Sequence, residues 1–230
     1  MAEKDVLYHE LLEAFQAGGC AICRLARRAS DSYIHALLYE GVTDVKLRET
    51  LRDARGLCYR HGWRLAGQRG AVLGTAIIYR DVVNTLVKAL EANGNPPNRL
   101  FGRGQPELAR ALSASATCPA CVLERDAEQR EVKILLNHVD DAALGEAYRQ
   151  AGGICLPHFQ LALSHAGSPA IRLLAAWQAE AWSRLRGELD ELIRKHDYRF
   201  RSEIVTEAEA DAGQRSVAAI VGEAEPKSET

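Results

Sequence analysis

Eight residues stand out by type and spacing. Cys20-Ala21-Ile22-Cys23 is followed by Cys58-Tyr59-Arg60-His61, and Cys118-Pro119-Ala120-Cys121 is followed by Cys155-Leu156-Pro157-His158; all six cysteines of the chain fall in this pattern. Three soft thiolates and one imidazole are a ligand set for a four-coordinate metal ion, and a Cys3His shell is an established structural zinc class. Each pair with two intervening residues forms a hook that can chelate one ion. Placing Cys20 and Cys23 before a helix, and Cys58 and His61 on the first turn of a later one, lets the positive helix ends stabilise the thiolates. The simplest assembly pairs the hooks within each half, Cys20, Cys23, Cys58 and His61 in one site and Cys118, Cys121, Cys155 and His158 in the other. The 34 residues from Cys23 to Cys58, and 33 from Cys121 to Cys155, leave room for two helices that fold the hooks together.

Two zinc ions per chain are therefore expected. Soft thiolate sites also hold iron–sulfur clusters, for which four cysteines are the commoner set, so such a cluster for redox sensing or electron transfer is the alternative. A thiol redox enzyme using Cys20/Cys23 or Cys118/Cys121 is a third reading, and it needs thiols that no metal occupies. A closed Cys3His shell offers no position for substrate or water, which disfavours hydrolysis and points to a structural role. Trp63 and Phe159, close in sequence to the two histidines, are expected to shield the sites from water. His9, His35, His138, His165 and His196 have no partner at ligand spacing and are expected on the surface or packed in the core. The chain has no Gly-rich phosphate loop, no His-Glu-x-x-His helix and no nucleophile elbow. The carboxylates Glu188, Asp190 and Glu191 are expected on an exposed helix face.

The hooks belong to a longer duplication. Cys118 lies 98 residues after Cys20 and Cys155 lies 97 after Cys58, so one deletion separates the copies. Leu37-Leu38-Tyr39-Glu40 aligns with Leu135-Leu136-Asn137-His138, and Ala54-Arg55-Gly56-Leu57-Cys58 with Ala151-Gly152-Gly153-Ile154-Cys155. A period this long implies two copies of one supersecondary unit. The expected organisation is a first helical repeat with a metal site over 1–95, a linker over 96–104, a second repeat with a metal site over 105–201, and an acidic tail over 202–230 that is a weak helix or disordered.

Helices must position the ligands, because apolar residues recur at helical spacing and no stretch alternates long enough for a strand. The expected fold is all-α, an internally duplicated helical bundle. Helices fit residues 5–16, 20–39, 44–56, 58–67 and 71–92, then 106–112, 119–138, 141–151, 155–165 and 169–197. Gly18-Gly19 and Gly56 stop helices, Thr43 or Asp44 caps one, and Asn93 to Asn98 form the main breaker cluster. Ser168 is expected to cap the longest helix, whose stripe Ile171, Leu174, Trp177, Ala181, Leu185, Leu189 and Ile193 reads as core.

At 230 residues and 47% hydrophobic composition the chain can bury a sizeable core. Its formal net charge of -2 gives no chain-wide reason to expect nucleic acid or an anionic membrane. Residues 24–69 do hold ten Lys/Arg against five Asp/Glu, so Arg24, Arg27, Arg28, Arg52, Arg55, Arg60 and Arg64 keep nucleic acid open beside a protein partner. No apolar run reaches the length of a membrane span, and the charged N-terminus lacks the features of a secretory signal, so a cytoplasmic protein with reduced thiols is expected.

The combined signature, Cys-(Pro/Ala)-x-Cys-(Arg/Val)-Leu followed by Gly-(Leu/Ile)-Cys-x-x-His, resembles a bacterial family of unknown function in which both halves carry these hooks. The stretch Arg194-Lys195-His196-Asp197-Tyr198-Arg199-Phe200 also resembles it, and Ala21 stands where that family shows proline. The resemblance covers nearly the whole chain and implies the architecture and the eight ligands, but no activity.

Overall fold

The computed structural model describes residues 6–93, 104–165 and 169–224. Most of the expected linker, the Ser168 cap and residues 225–230 lie outside them. Among the described residues there are eleven α-helices and no strand.

In order, these are α1 (Val6–Gln16), α2 (Ala21–Tyr39), α3 (Val45–Asp53), α4 (Tyr59–Ala66), α5 (Ala71–Asn93), α6 (Gly104–Leu112), α7 (Pro119–Asn137), α8 (Ala142–Gln150), α9 (Leu156–Leu163), α10 (Pro169–Lys195) and α11 (Glu207–Val221). The helices α2, α3 and α4 contain 19, 9 and 8 residues, and α7, α8 and α9 again contain 19, 9 and 8.

The turns between them follow from local chemistry that recurs. Asp44 accepts the Leu47 N–H at the start of α3, and Asp141 accepts the Leu144 N–H at the start of α8. At the other ends Gly56 (φ 88°) donates to the Leu51 carbonyl and Gly153 (φ 85°) to the Tyr148 carbonyl, a left-handed stop that glycine adopts without penalty. Arg55 also takes a positive φ, and its guanidinium is held by the carbonyls of Arg52, Ala111 and Leu112.

Two compact units result, and each draws on both halves of the sequence. One takes the described residues up to Arg28 and from Arg125 onward, and the other runs Ala29–Glu124. The chain passes from one unit to the other inside α2 and again inside α7. The apolar pattern of these two helices explains the passage. Ile22 and Leu25 of α2 pack in a core with Tyr8, Leu11 and Phe15 of α1, Val132 and Leu135 of α7, Leu144 and Tyr148 of α8, and Leu174 of α10. Further along, Ile34 and Leu37 of α2 join Ala120 of α7 and Leu51, Leu57, Leu65 and Ile78 in the core of the other unit.

The segment expected as a weak tail is a helix with a complete N-terminal box. Thr206 accepts the Glu209 N–H, and the Glu209 side chain accepts the Thr206 N–H. α11 packs on α10 and α9, burying Ala212. Its acidity is matched by α10: Lys195 reaches both Glu209 oxygens at 2.7 Å, and Arg194 pairs with Glu203. Of the stripe expected as core on α10, Leu174 and Ala181 are buried, but Ile193 is 70% exposed, because the last turns pack through Arg194 and Lys195.

One prediction distinguishes the two capping aspartates. Asp44 is exposed, whereas Asp141 also accepts the hydroxyl of Tyr8, a side chain only 1% exposed, at 2.7 Å. Asp44→Ala is expected to cost about 1 kcal/mol, and Asp141→Ala about 2–3 kcal/mol since a buried hydroxyl also loses this acceptor. Urea denaturation of the two variants checks the order.

Candidate metal centres

The four hooks all sit at helix starts. Cys20, Cys58, Cys118 and Cys155 directly precede α2, α4, α7 and α9, and Cys23, His61, Cys121 and His158 lie three residues further on, facing the same side. Cys58 and Cys155 hold extended backbone and leave their side chains out of the capping role, so the sulfurs are free to turn toward a common point. Burial opposes charge on the Cys58 thiol, but the His61 backbone N–H, hydrogen bonds with Cys121 and Cys118 and the Arg60 N–H together outweigh it and pull its pKa down.

The structure brings the hooks together in two clusters, each within one compact unit: Cys20, Cys23, Cys155 and His158, and Cys58, His61, Cys118 and Cys121. All eight expected ligands are in these clusters, but the expected pairing is corrected. The first hook of each half meets the second hook of the other half. Helix length supplies the reason. A 19-residue helix carries the chain about 28 Å away from its first hook, and the 9-residue helix after it can return only about 13 Å. The turns on either side are tight and add little: Gly41 bonds back to Ala36 and Gly56 to Leu51.

The distances within each cluster are those of ligands around one ion. A tetrahedral zinc site with ordinary bond lengths places sulfurs about 3.8 Å apart and sulfur and nitrogen about 3.6 Å apart. In the first cluster Cys23 Sγ is 3.7 Å from Cys155 Sγ, and His158 Nδ1 is 3.4, 3.5 and 3.1 Å from the sulfurs of Cys20, Cys23 and Cys155. In the second, Cys58 Sγ is 3.5 Å from Cys121 Sγ, and His61 Nδ1 is 3.3, 3.7 and 3.4 Å from the sulfurs of Cys58, Cys118 and Cys121. All six cysteines are free thiols.

With Nδ1 facing the sulfurs, each histidine turns Nε2 to a carboxylate. His61 Nε2 is 2.9 Å from Glu124 Oε1, and His158 Nε2 is 3.4 Å from Glu128 Oε1. A carboxylate behind a ligating histidine fixes its tautomer and raises its basicity. Both glutamates belong to α7, three and seven residues after Cys121, on the face that carries the hook. That spacing was readable in the sequence, yet without the fold nothing distinguished these two from other helical glutamates.

The two clusters differ in their surroundings. Glu124, only 7% exposed, also accepts from Ser30, Arg60 and Arg64. Burial, with Arg60 and Arg64 nearby, pushes the pKa of His61 down to about 4, which keeps the imidazole in its ligating neutral form. Burial also opposes charge on His158, but hydrogen bonds to Cys155, Cys23 and Glu128 outweigh it and raise its pKa to about 11. The thiols of the first cluster are split, with Cys20 pushed up and Cys23 pulled down by the hydrogen bonds each makes with Cys155. The end of α11 covers this cluster as well: Glu223 Oε1 accepts the Cys20 N–H at 2.8 Å, and Arg27 holds the carbonyls of Glu223 and Ala224.

Other expectations are revised. Trp63 is 68% exposed and gives the second cluster no cover, since two residues along a helix turn it to the side opposite His61. Phe159 packs against Trp182 with ring centroids 5.8 Å apart. The basic segment is largely engaged internally: Arg24 bonds the carbonyls of Ala17 and Gly18, Arg52 pairs with Asp81, and Arg64 with Asp31. Glu188 and Glu191 are tied to Arg215 and Arg194. None of His9, His35, His138, His165 and His196 belongs to either cluster; His138 is buried beside Tyr8 at 4.9 Å. No described helix is long and apolar enough to cross a membrane.

An uncharacterised 23.9 kDa protein encoded in the xynA 3' region of Caldicellulosiruptor sp. (strain Rt8B.4) is 26% identical over 195 residues, covering 82% of this chain and 88% of the relative. No solved structure matches the chain. A family model described only as a family of unknown function, DUF6062, matches residues 3–227, and the chain, with its two Cys3His clusters, belongs to that family.

Proposed function

We propose that the protein is a structural zinc protein that holds two ions per chain, one in each Cys3His cluster, and uses the resulting rigid helical scaffold to bind another protein. The observation that carries this reading is the close spacing of four ligand atoms in each cluster, all within 4.8 Å of one another, with a carboxylate behind each histidine. Ligands this close suit a single ion. An iron–sulfur cluster spreads its thiolates over several irons and needs them further apart, so the geometry weighs against that alternative. Four protein ligands complete the tetrahedral shell, which favours a structural role over catalysis. The same reading places the protein in the reducing cytoplasm, where thiols stay available to metal.

A protein partner is favoured over nucleic acid because the arginines of 24–69 are mostly engaged inside the molecule. α5 instead exposes apolar side chains, with Leu73 at 71%, Val83 at 52% and Leu90 at 45% exposure, among polar ones such as Arg80, Asn84 and Lys88. We also read residues 1–95 and 105–201 as two copies of one unit that have exchanged hooks, on the strength of their matching helix lengths and caps.

Anaerobically purified protein is expected to be colourless and to contain two zinc ions per chain by elemental analysis. Brown protein with iron and acid-labile sulfide in place of zinc overturns the reading. Retention on immobilised nucleic acid that falls steeply with salt would overturn the choice of partner.

A further inference from the structure

Beside the first cluster, with Cys20 and Cys155 in its wall, lies a cavity of about 550 Å³. It is bounded by α10, by α11 and by the turns that precede Cys20 and Cys155, all within one compact unit. Its volume is in the range of small-molecule sites. The walls from α10 and α11 supply an apolar surface through Ala181, Leu185, Ala218 and Ala219.

Three arginines line the same space, and they are not alike. Arg215 is bound to Glu188 at 2.6 Å and to Asp211 at 2.8 Å. Arg149 and Arg184 make long ion pairs on their own helices, with Glu146 at 3.3 Å and Glu180 at 3.8 Å, pairs that contribute little at a surface, and the Arg149 guanidinium also lies over the Trp177 ring, 5.7 Å from its centroid. These two also neighbour each other, since Arg184 Nη1 is 3.3 Å from the Arg149 carbonyl. Of the two carboxylates lining the cavity, Glu188 is bound by Arg215 and Glu223 by the Cys20 N–H. Two guanidinium groups beside an apolar wall remain for an incoming anion.

We propose that this cavity binds a small organic anion, a phosphate monoester or carboxylate with an apolar body. The acid group sits between Arg149 and Arg184, and the body lies against Leu185, Ala218 and Ala219. The inference does not rest on the metal reading, and zinc content measured on every sample keeps the two separable. Each arginine would give the anion charge-assisted hydrogen bonds, so loss of one weakens binding by about ten-fold.

The test is calorimetric titration of the full-length protein with phenyl phosphate and, as a neutral counterpart, benzyl alcohol. Phenyl phosphate is expected to bind saturably at one per chain, at least ten-fold more tightly than the alcohol. Arg184→Ala, a change at a half-exposed side chain, is expected to weaken it about ten-fold, and Ala218→Phe, which fills the cavity, to abolish it. No saturation up to about 10 mM overturns the proposal. So does equal affinity for the alcohol, or unchanged binding in variants that keep the parental melting temperature.

Discussion

Protein stripped of metal under reducing conditions is expected to lose its cooperative thermal transition and much of its helical circular dichroism. The reason lies in where the hooks sit. Cys20 and Cys155 are part of the core that holds Tyr8, Phe15 and Tyr148, and Cys118 is part of the core that holds Ile34, Leu37 and Leu65. Metal at each centre therefore closes a core from inside. A structural zinc site contributes on the order of 10 kcal/mol of folding free energy, comparable to the whole net stability of a typical domain. Without the ion, three sulfurs crowd around one imidazole at 3.1–3.7 Å in each cluster. Melting curves recorded before and after chelation decide the matter. A chelated sample with an unchanged transition shows that the centres do not hold the fold.

The second large effect is expected at Glu124. Its carboxylate, with a side chain 10% exposed, receives His61, Arg60, Arg64 and Ser30 together. Glu124→Ala takes the acceptor from the buried His61 imidazole and the Ser30 hydroxyl and a carboxylate from Arg60 and Arg64, of which Arg64 keeps Asp31, and a cost of about 3 kcal/mol is expected. Metal affinity at the second centre should fall by about 10- to 100-fold, with the first centre unaffected. Glu124→Gln, which keeps the shape and one acceptor, should recover part of both losses. Glu128→Ala is the comparison. Glu128 is 30% exposed and 3.4 Å from its histidine, so its removal should cost about 1 kcal/mol or less. Chemical denaturation and competition with a chromophoric chelator measure the two quantities separately.

Helix positions were legible in the sequence because the punctuation is strong. Asp44, Gly56, Asp141 and Gly153 cap and stop α3 and α8, and the hooks mark the starts of α2, α4, α7 and α9. All eight cluster residues were legible for a similar reason, since a Cys-x-x-Cys hook and a Cys-x-x-His hook that each occur twice leave little to chance. Which hook meets which was not legible from spacing alone. Counting residues between Cys23 and Cys58 gives a chain long enough to return, but a helix as long as α2 uses that length to travel outward. Its buried positions carry the missing information: Ile22 and Leu25 serve one core, Ile34 and Leu37 the other. Glu124 and Glu128 stayed hidden because a carboxylate becomes a histidine's partner only when the fold brings them together. The tail, read as a weak helix or disordered, forms a helix over Glu207–Val221. Its acidic composition suggested solvent, whereas Lys195 and Arg194 on α10 give those charges a place to dock.

Hook removal read by metal stoichiometry tests the exchanged pairing most directly. One variant lacks Cys20, Cys23, Cys155 and His158, and the other lacks Cys20, Cys23, Cys58 and His61, with serine for cysteine and alanine for histidine. Native mass spectrometry of the first is expected to find one zinc ion per chain, because the cluster of Cys58, His61, Cys118 and Cys121 is intact. In the second, both clusters have lost half of their ligands and no tightly bound zinc should remain. One ion retained by the second variant and none by the first would show that the hooks pair within each half of the sequence, contradicting the account.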